Sequence, residues 1–202
     1  MSASVLILYP SGFNCYSKFK RKVEKIISAL NSVRLLSVND NRGFIKRIST
    51  ESYSAVSADN ISSDEIIDKA THAIIFSDGS SFINELSVLT ANKIPVREIS
   101  VILTKVVNAD KKQAYDVYIG RGSPWGNPYA IGEDGDREEV IHKFHYDFDR
   151  GFFTGGNRFK SNEEYLNELQ KLSGKKLGCH CKPEACHGDV LADYLNSLDD
   201  GQ

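Results

Sequence analysis

Ala73-Ile74-Ile75-Phe76-Ser77-Asp78-Gly79-Ser80-Ser81 is an apolar run that stops at an Asp-Gly turn, and it is the clearest strand in the chain. Leu86 to Ala91 follow on a helix, so strand, loop and helix succeed one another within twenty residues. The same alternation runs back to the start. Val5-Leu6-Ile7-Leu8-Tyr9 reads as a buried strand, and Val23, Ile26, Ile27 and Leu30 then recur at helical spacing in a segment from about Ser17. Val33 to Val38 predicts a second strand, Phe44 to Ile48 a short helix, and Ala55 to Ala58 another strand. Ser62 and Glu65 have the spacing of a capping box, ahead of a helix carrying Ile66, Ile67 and Ala70. Val96 to Leu103 predicts a further strand. Such alternation implies an α/β fold in which helices cover a parallel sheet on both faces.

The pattern weakens from Lys105 to Ala114, a polar stretch that reads as the boundary between two domains, 1–107 and 114–202. Asp116 to Ile119 predicts a strand that runs into Gly120-Arg121-Gly122-Ser123-Pro124-Trp125-Gly126-Asn127-Pro128, where glycine, proline and asparagine exclude helix. Asp136 and Glu139 cap a helix with Val140, Ile141, Phe144 and Phe148 on one face. Ser161 and Glu164 cap another, with Leu166, Leu169 and Leu172 inward. Lys175 to Gly178 leads to Cys179-His180-Cys181-Lys182-Pro183-Glu184-Ala185-Cys186-His187-Gly188-Asp189, and a last helix carries Val190, Leu191, Tyr194 and Leu195. The second domain is expected to be a smaller α/β unit.

Composition narrows the function classes. The 202 residues are 41% hydrophobic and 26% charged, and no apolar run reaches the roughly 20 residues of a membrane helix. The N-terminal Met1-Ser2-Ala3-Ser4 lacks a basic region and Val5 to Leu8 is too short for a signal-peptide core, so the expected location is the cytoplasm. Net charge is −2, but residues 1–113 hold 15 Lys and Arg against 11 Asp and Glu, whereas residues 114–202 hold 10 against 16. An acidic second half argues against sequence-independent coating of DNA, which needs a basic surface.

Three stretches could carry chemistry. In the loop Asp78-Gly79-Ser80-Ser81, at a strand's carboxyl end, small residues let backbone N–H groups approach an anion, and Glu85 could face a bound sugar as base or nucleophile. A plain Asp-Gly turn with an acidic helix start is the stronger reading of these residues taken alone. In the Gly120 to Pro128 loop, Arg121 offers a fork for phosphate, Trp125 a stacking face and Asn127 an amide, unless Trp125 fills the domain's core. The third stretch gathers three of the four cysteines and two of the five histidines. Zinc on Cys179, Cys181, Cys186 and His180 or His187 is one reading; the Cys-x-Cys spacing departs from paired Cys-x2-Cys knuckles. Cys186 as a thiolate nucleophile at a helix start, with His187 or His180 as its base, is another. Buried, inert cysteines are the third.

The first half resembles the Rossmann-like nucleotide-binding superfamily that includes DprA, YspA-type proteins and Lys-decarboxylase-like cytokinin-activating hydrolases. The resemblance spans residues 4–103 and rests on topology, on Asp78 to Ser81 and on Glu85. It implies a nucleotide or nucleoside ligand. Nucleoside deoxyribosyltransferases are similar in their Asp-Gly then Glu order, and there the Glu attacks the anomeric carbon; this chain departs in lacking a Gly-Gly-x-Gly-Thr loop. Residues 116–197 resemble a bacterial and phage domain family of unknown function through Gly120-Arg121, Trp125-Gly126-Asn127-Pro128, Arg137-Glu138, and Cys179-x-Cys181 with Cys186-His187-Gly188-Asp189. Motifs kept in that order would make sense if Arg121, Asn127, Arg137 and the Cys/His segment, Asp189 included, converge on one ligand.

The sequence therefore predicts a cytoplasmic protein that recognises a nucleotide or nucleoside derivative and acts on it as a hydrolase or transferase at an N-glycosidic or phosphoester bond. Two rival readings stand beside it. One is a nucleotide sensor or phage host-takeover protein that binds a host protein and uses the cluster as a metal staple. The other is a metal-dependent nuclease or nucleic-acid modification factor.

Overall fold

The computed structural model describes residues 3–30, 32–51, 56–111 and 113–201. The chain forms two compact units, Met1–Ile102 joined by Asp199–Gln202, and Leu103–Leu198.

The first unit is a five-stranded parallel sheet built from β1 (Ala3–Leu8), β2 (Val33–Ser37), β3 (Val56–Asn60), β4 (His72–Ser77) and β5 (Val96–Ser100), in the order β3-β2-β1-β4-β5. Its helices are α1 (Tyr16–Ile27), α2 (Phe44–Glu51), α3 (Ile66–Lys69) and α4 (Ile83–Ala91). Of the strand expected from Ala55 to Ala58, Ala55 lies outside the described residues. The two apolar runs that dominate the sequence are the central strand β1 and its neighbour β4, paired in register from Val5 with His72 to Leu8 with Ile75. Period-two alternation sends their side chains to opposite faces. Leu6, Leu8 and Ile75 meet Ile66 and Leu89 on one side, while Phe76 stacks on Phe13 and Phe19 on the other. Both faces being covered explains why these strands carry no polar alternation. The capping box at Ser62 and Glu65 is formed, although its first turn, Ser63–Glu65, is a 3₁₀ turn leading into α3.

The second unit has a three-stranded parallel sheet, β6 (Lys105–Asn108), β7 (Val117–Tyr118) and β8 (Lys176–Cys179), in the order β6-β8-β7, with helices α5 (Arg137–Asp149), α6 (Asn162–Gln170) and α7 (His187–Ser197). Here the structure departs from expectation: the strand beginning at Val96 ends at Ser100, and Lys105–Asn108, in the stretch read as polar linker, is a strand paired with β8. Its polar ends hid it. Asn108 is buried, and its side chain accepts from the N–H groups of Asp110 and Lys111 and donates to the carbonyls of His180 and Lys182. A buried amide satisfied this fully behaves as a structural tie, and its polarity says nothing of solvent. The unit's core is aromatic: Phe144, Phe148, Phe153 and Tyr165 are buried with Ile119, Leu177 and Leu191. Among the described residues no helix is long and apolar enough to cross a membrane.

Candidate functional site

Strand β8 ends at Cys179, the loop from His180 to Ala185 follows, and Cys186 is the N-cap of α7. As a cap, Cys186 presents its Sγ to the N–H of Gly188 at 3.3 Å, and Asp189 returns the favour by accepting from the N–H of Cys186 at 3.1 Å. Asp189 also pairs with Lys182 at 2.6 Å. It is therefore occupied in shaping the loop. The sulfurs of Cys179 and Cys186 and a ring nitrogen of His187 lie within 4.8 Å of one another, all three residues buried.

His187 is held by the Ile119 carbonyl, with a backbone contact to Trp125 and the Phe144 ring edge-on against it. Its Nε2 lies 3.0 Å from the carbonyl oxygen of Ile119, an acceptor only, so Nε2 carries the proton and donates. Nδ1 is left with its lone pair, 3.7 Å from Cys186 Sγ. Burial pushes the imidazole pKa down and favours this neutral form. Among the thiols one is singled out. A hydrogen bond from Cys186 brings the Cys179 thiol down to about 5. Cys186 moves up because it donates that bond and is buried, and burial also raises Cys181. A neutral imidazole beside a thiolate and further thiols is a soft donor set of the kind that zinc takes.

A cavity of about 250 Å³ opens beside this cluster. Arg121, Asn127, Arg137, Cys179, Cys181 and His187 all line it, with Tyr129, Val140 and Ile141 as apolar wall. No Asp or Glu is among its lining residues. Arg121 makes one long hydrogen bond, to the carbonyl of Tyr129 at 3.4 Å, and Arg137 reaches the carbonyl of Ala185 at 3.3 Å and the Cys181 sulfur. Two guanidinium groups without a lining carboxylate suit an anion. On its other side the same loop borders a more open cavity of about 400 Å³, which also takes in Arg121 and Asn127.

Other expected ligand contacts are used differently. Trp125 is 7% exposed and packs against Phe159 and Tyr165, so it fills the core and offers no stacking face. The amide of Asn127 donates to the carbonyl of Val140 at 3.0 Å and accepts from the N–H of Tyr129 at 2.9 Å, which ties the loop to α5. Of the two imidazoles offered as metal ligands, His180 lines the cavity with Nδ1 2.6 Å from Asp110 and its ring against Tyr118, and His187 is the one that stands beside the sulfurs. In the first unit, Oδ1 of Asp78 accepts from the N–H groups of Ser80 and Ser81 and from the Ser80 hydroxyl, and the N–H of Gly79 goes to Ser77. The donors expected to meet an anion are engaged by the loop's own side chains. Glu85 stands half-buried in the first turn of α4.

The residues that reasoning from sequence passed over are structural. Asn108 holds the Cys/His loop, Ile119 aims His187 through its carbonyl, and Gly126 lets two backbone segments touch, since a Cβ there would lie 2.7 Å from the Gly120 oxygen. The glycine inside Trp-Gly-Asn-Pro was the one visible hint.

Residues 2–107 match the family model of the minimal SLOG domain. The chain belongs to the minimal SLOG domain family. The SLOG unit is Rossmann-like and nucleotide-related, in line with the resemblance drawn from its strand order and the loop after β4. Residues 103–197 match a second model, the domain of unknown function DUF4326. A phage relative is the "Uncharacterized 12.4 kDa protein in nrdA-td intergenic region" of Enterobacteria phage T4, 45% identical over 97 residues, which cover 48% of this chain and 81% of the phage protein. No solved structure matches this SLOG protein.

Proposed function

We propose that this protein recognises a phosphorylated nucleotide or nucleoside derivative in the cytoplasm and acts on it by hydrolysis or transfer at a phosphoester or N-glycosidic bond, with the cavity of the DUF4326 unit as the reacting site. The observation that carries this reading is the single cavity shared by Arg121, Arg137, Cys179, Cys181 and His187. An oxyanion gains charge-assisted hydrogen bonds from the two guanidiniums, and the Cys/His wall supplies either a thiolate or a bound metal next to it. About 250 Å³ is the size of a phosphate with part of a ribose, smaller than most sites that enclose a whole drug-sized ligand. The SLOG unit contributes the nucleotide class of the ligand; Glu85 is its one acidic candidate for N-glycosidic chemistry.

Zinc belongs to this reading through Cys179, Cys186 and His187, whose donor types and spacing suit it. The test is incubation of the full chain with a panel of nucleotides and nucleosides, following free base, free phosphate and transferred product. Turnover that is lost in Arg137→Gln and in Cys179→Ser but kept in Glu85→Gln is the expected result. Loss in Glu85→Gln alone would move the reaction to the SLOG unit, and no binding of any phosphorylated compound would overturn the reading.

A further inference from the structure

We propose that Cys181 closes the metal site: Cys179, Cys181, Cys186 and His187 hold one zinc ion in a complete tetrahedron, and the zinc-bound Cys181 sulfur holds the Arg137 guanidinium at the cavity. This rests on the zinc part of the reading above. It gives the metal a structural and positioning role and leaves the oxyanion to the arginines.

Three observations lead there. The first is the convergence of four donors. Bonds of about 2.3 Å to sulfur and 2.0–2.1 Å to nitrogen set neighbouring donors of a tetrahedral zinc roughly 3.5–3.8 Å apart. His187 Nδ1 and Cys186 Sγ stand 3.7 Å apart, and these two residues form with Cys179 a buried triplet whose donor atoms lie within 4.8 Å. Cys181 is hydrogen-bonded to both of the other cysteines, so the three sulfurs make one patch. It stands outside the triplet, half-buried, and a turn about its χ1 completes the set. The backbone around it is already pinned: the Asn108 amide donates to the carbonyls of His180 and Lys182, and the Cys181 carbonyl accepts from the N–H of Glu184 at 3.0 Å.

Second, each sulfur has an N–H donor of its own. The N–H of Cys181 donates to Cys179, the N–H of Gly188 to Cys186 at 3.3 Å, and the Arg137 guanidinium to Cys181. The imidazole is fixed in the same manner, its Nε2 proton given to the Ile119 carbonyl. Outer contacts of this kind orient metal ligands and favour the thiolate form; cysteines packed as inert apolar residues have no need of them.

Third, the charges match. Zinc with three thiolates and a neutral imidazole carries one net negative charge, and Arg137 is the cation that touches it. A guanidinium has five N–H groups, so the contacts of Arg137 to Cys181 and to the Ala185 carbonyl leave others for an oxyanion in the cavity. Closure by four protein ligands is the arrangement of structural zinc.

The experiment loads the full chain with zinc for X-ray absorption and with cobalt(II) for visible spectra, with equilibrium dialysis of inorganic phosphate alongside. The expected result is one metal per chain, bound by three sulfurs at about 2.3 Å and one nitrogen, with the same count when phosphate is present. The sulfur-to-cobalt band should weaken by about a third in Cys181→Ser and stay unchanged in His180→Ala. In Arg137→Gln the metal is kept and that band moves to lower energy, because the Cys181 sulfur has lost its donor. A count of two sulfurs, an oxygen ligand that arrives with phosphate, or the absence of bound metal overturns the proposal. Full band intensity in Cys181→Ser overturns it too, and so does an unmoved band in Arg137→Gln. The absorption count needs no variant, so it decides the ligand set even where Cys181→Ser fails to fold. Dialysis decides the cavity reading separately: phosphate binding that weakens in Arg137→Gln keeps it, and no binding removes it, whatever the metal's ligands.

Discussion

Replacing Gly126 by Ala should do more damage than any exposed Gly-to-Ala change in the protein. Two turns, Ser123 N–H to the Gly120 carbonyl and Gly126 N–H to the Ser123 carbonyl, fold the loop back on itself. Gly126 thereby lies on the chain it has just left: an added Cβ would stand 2.7 Å from the Gly120 oxygen and 3.0 Å from the Arg121 Cα. Both are backbone atoms, which cannot swing away as a side-chain tip can. Ordinary carbon–oxygen approaches are about 3.3 Å or more, so the two segments must part by roughly 0.6 Å. Overpacking of this kind costs about 1–3 kcal/mol, and the stiffer unfolded chain of Ala returns about 0.4–1 kcal/mol. The net loss is about 1–2 kcal/mol, which lowers the midpoint by roughly 5–15 °C for a unit of this size. Thermal unfolding followed by emission of Trp125, the chain's lone tryptophan, reports this unit directly. Phosphate binding measured well below the transition should weaken too, because the displaced residue is Arg121 itself. A midpoint within about 2 °C of the unaltered protein, with phosphate affinity unchanged, would show that the close approach is unimportant and that the reasoning fails.

Three further outcomes are expected. Glu51 accepts from Arg47 at 2.7 Å, and from Lys20 and Tyr16 at 2.9 Å, and these bonds hold its carboxyl down to about 2. Because its folded pKa lies below the unfolded one of about 4.3, its contribution is complete above that value and is lost as pH falls towards 2. Denaturant titrations by circular dichroism between pH 5 and pH 2 should show a shallower acid decline for Glu51→Gln than for the unaltered chain, and equal slopes would contradict this. The Tyr165 hydroxyl is buried without a hydrogen-bond partner among the described residues, so Tyr165→Phe should be neutral or stabilising by up to about 1–3 kcal/mol; a clear loss in chemical denaturation would mean that the hydroxyl is satisfied. Asp78→Ala removes the acceptor of two backbone N–H groups that water can reach and should destabilise the SLOG unit by about 0.5–1.5 kcal/mol while leaving phosphate affinity in the other unit intact, a separation that dialysis and circular dichroism would test together.

Most of the secondary structure was legible because the parallel sheet of the SLOG unit writes itself as uninterrupted apolar runs. β1 and β4 are buried on both faces, and the helices between them repeat at 3.6 residues. Lys105–Asn108 was not legible. A short strand that begins with Lys and ends with a buried Asn shows no pattern until its partners, the Cys/His loop carbonyls, are in view. In the candidate site, Arg121, Arg137 and the Cys/His segment line one cavity, and several side chains read as ligand contacts have structural partners of their own. Trp125, read from sequence as either a stacking face or core, is core, and Asn127 and Asp78 hydrogen-bond within their own loops.

Order and composition along the chain were enough to establish two α/β units and to draw attention to Arg121, Arg137 and the cysteine-rich segment, because periodicity and local chemistry are properties of neighbouring residues. Which histidine stands with the sulfurs is another kind of fact. His180 and His187 are equally good ligands on paper, and the choice is made by Asp110, which takes one, and by the carbonyl of Ile119, which aims the other. Asp110 and Ile119 are each about seventy residues away along the chain. Contacts at such separation exist only once parallel strands have brought β6 and β7 alongside β8, and hydrogen bonds to backbone carbonyls leave no trace in residue identity.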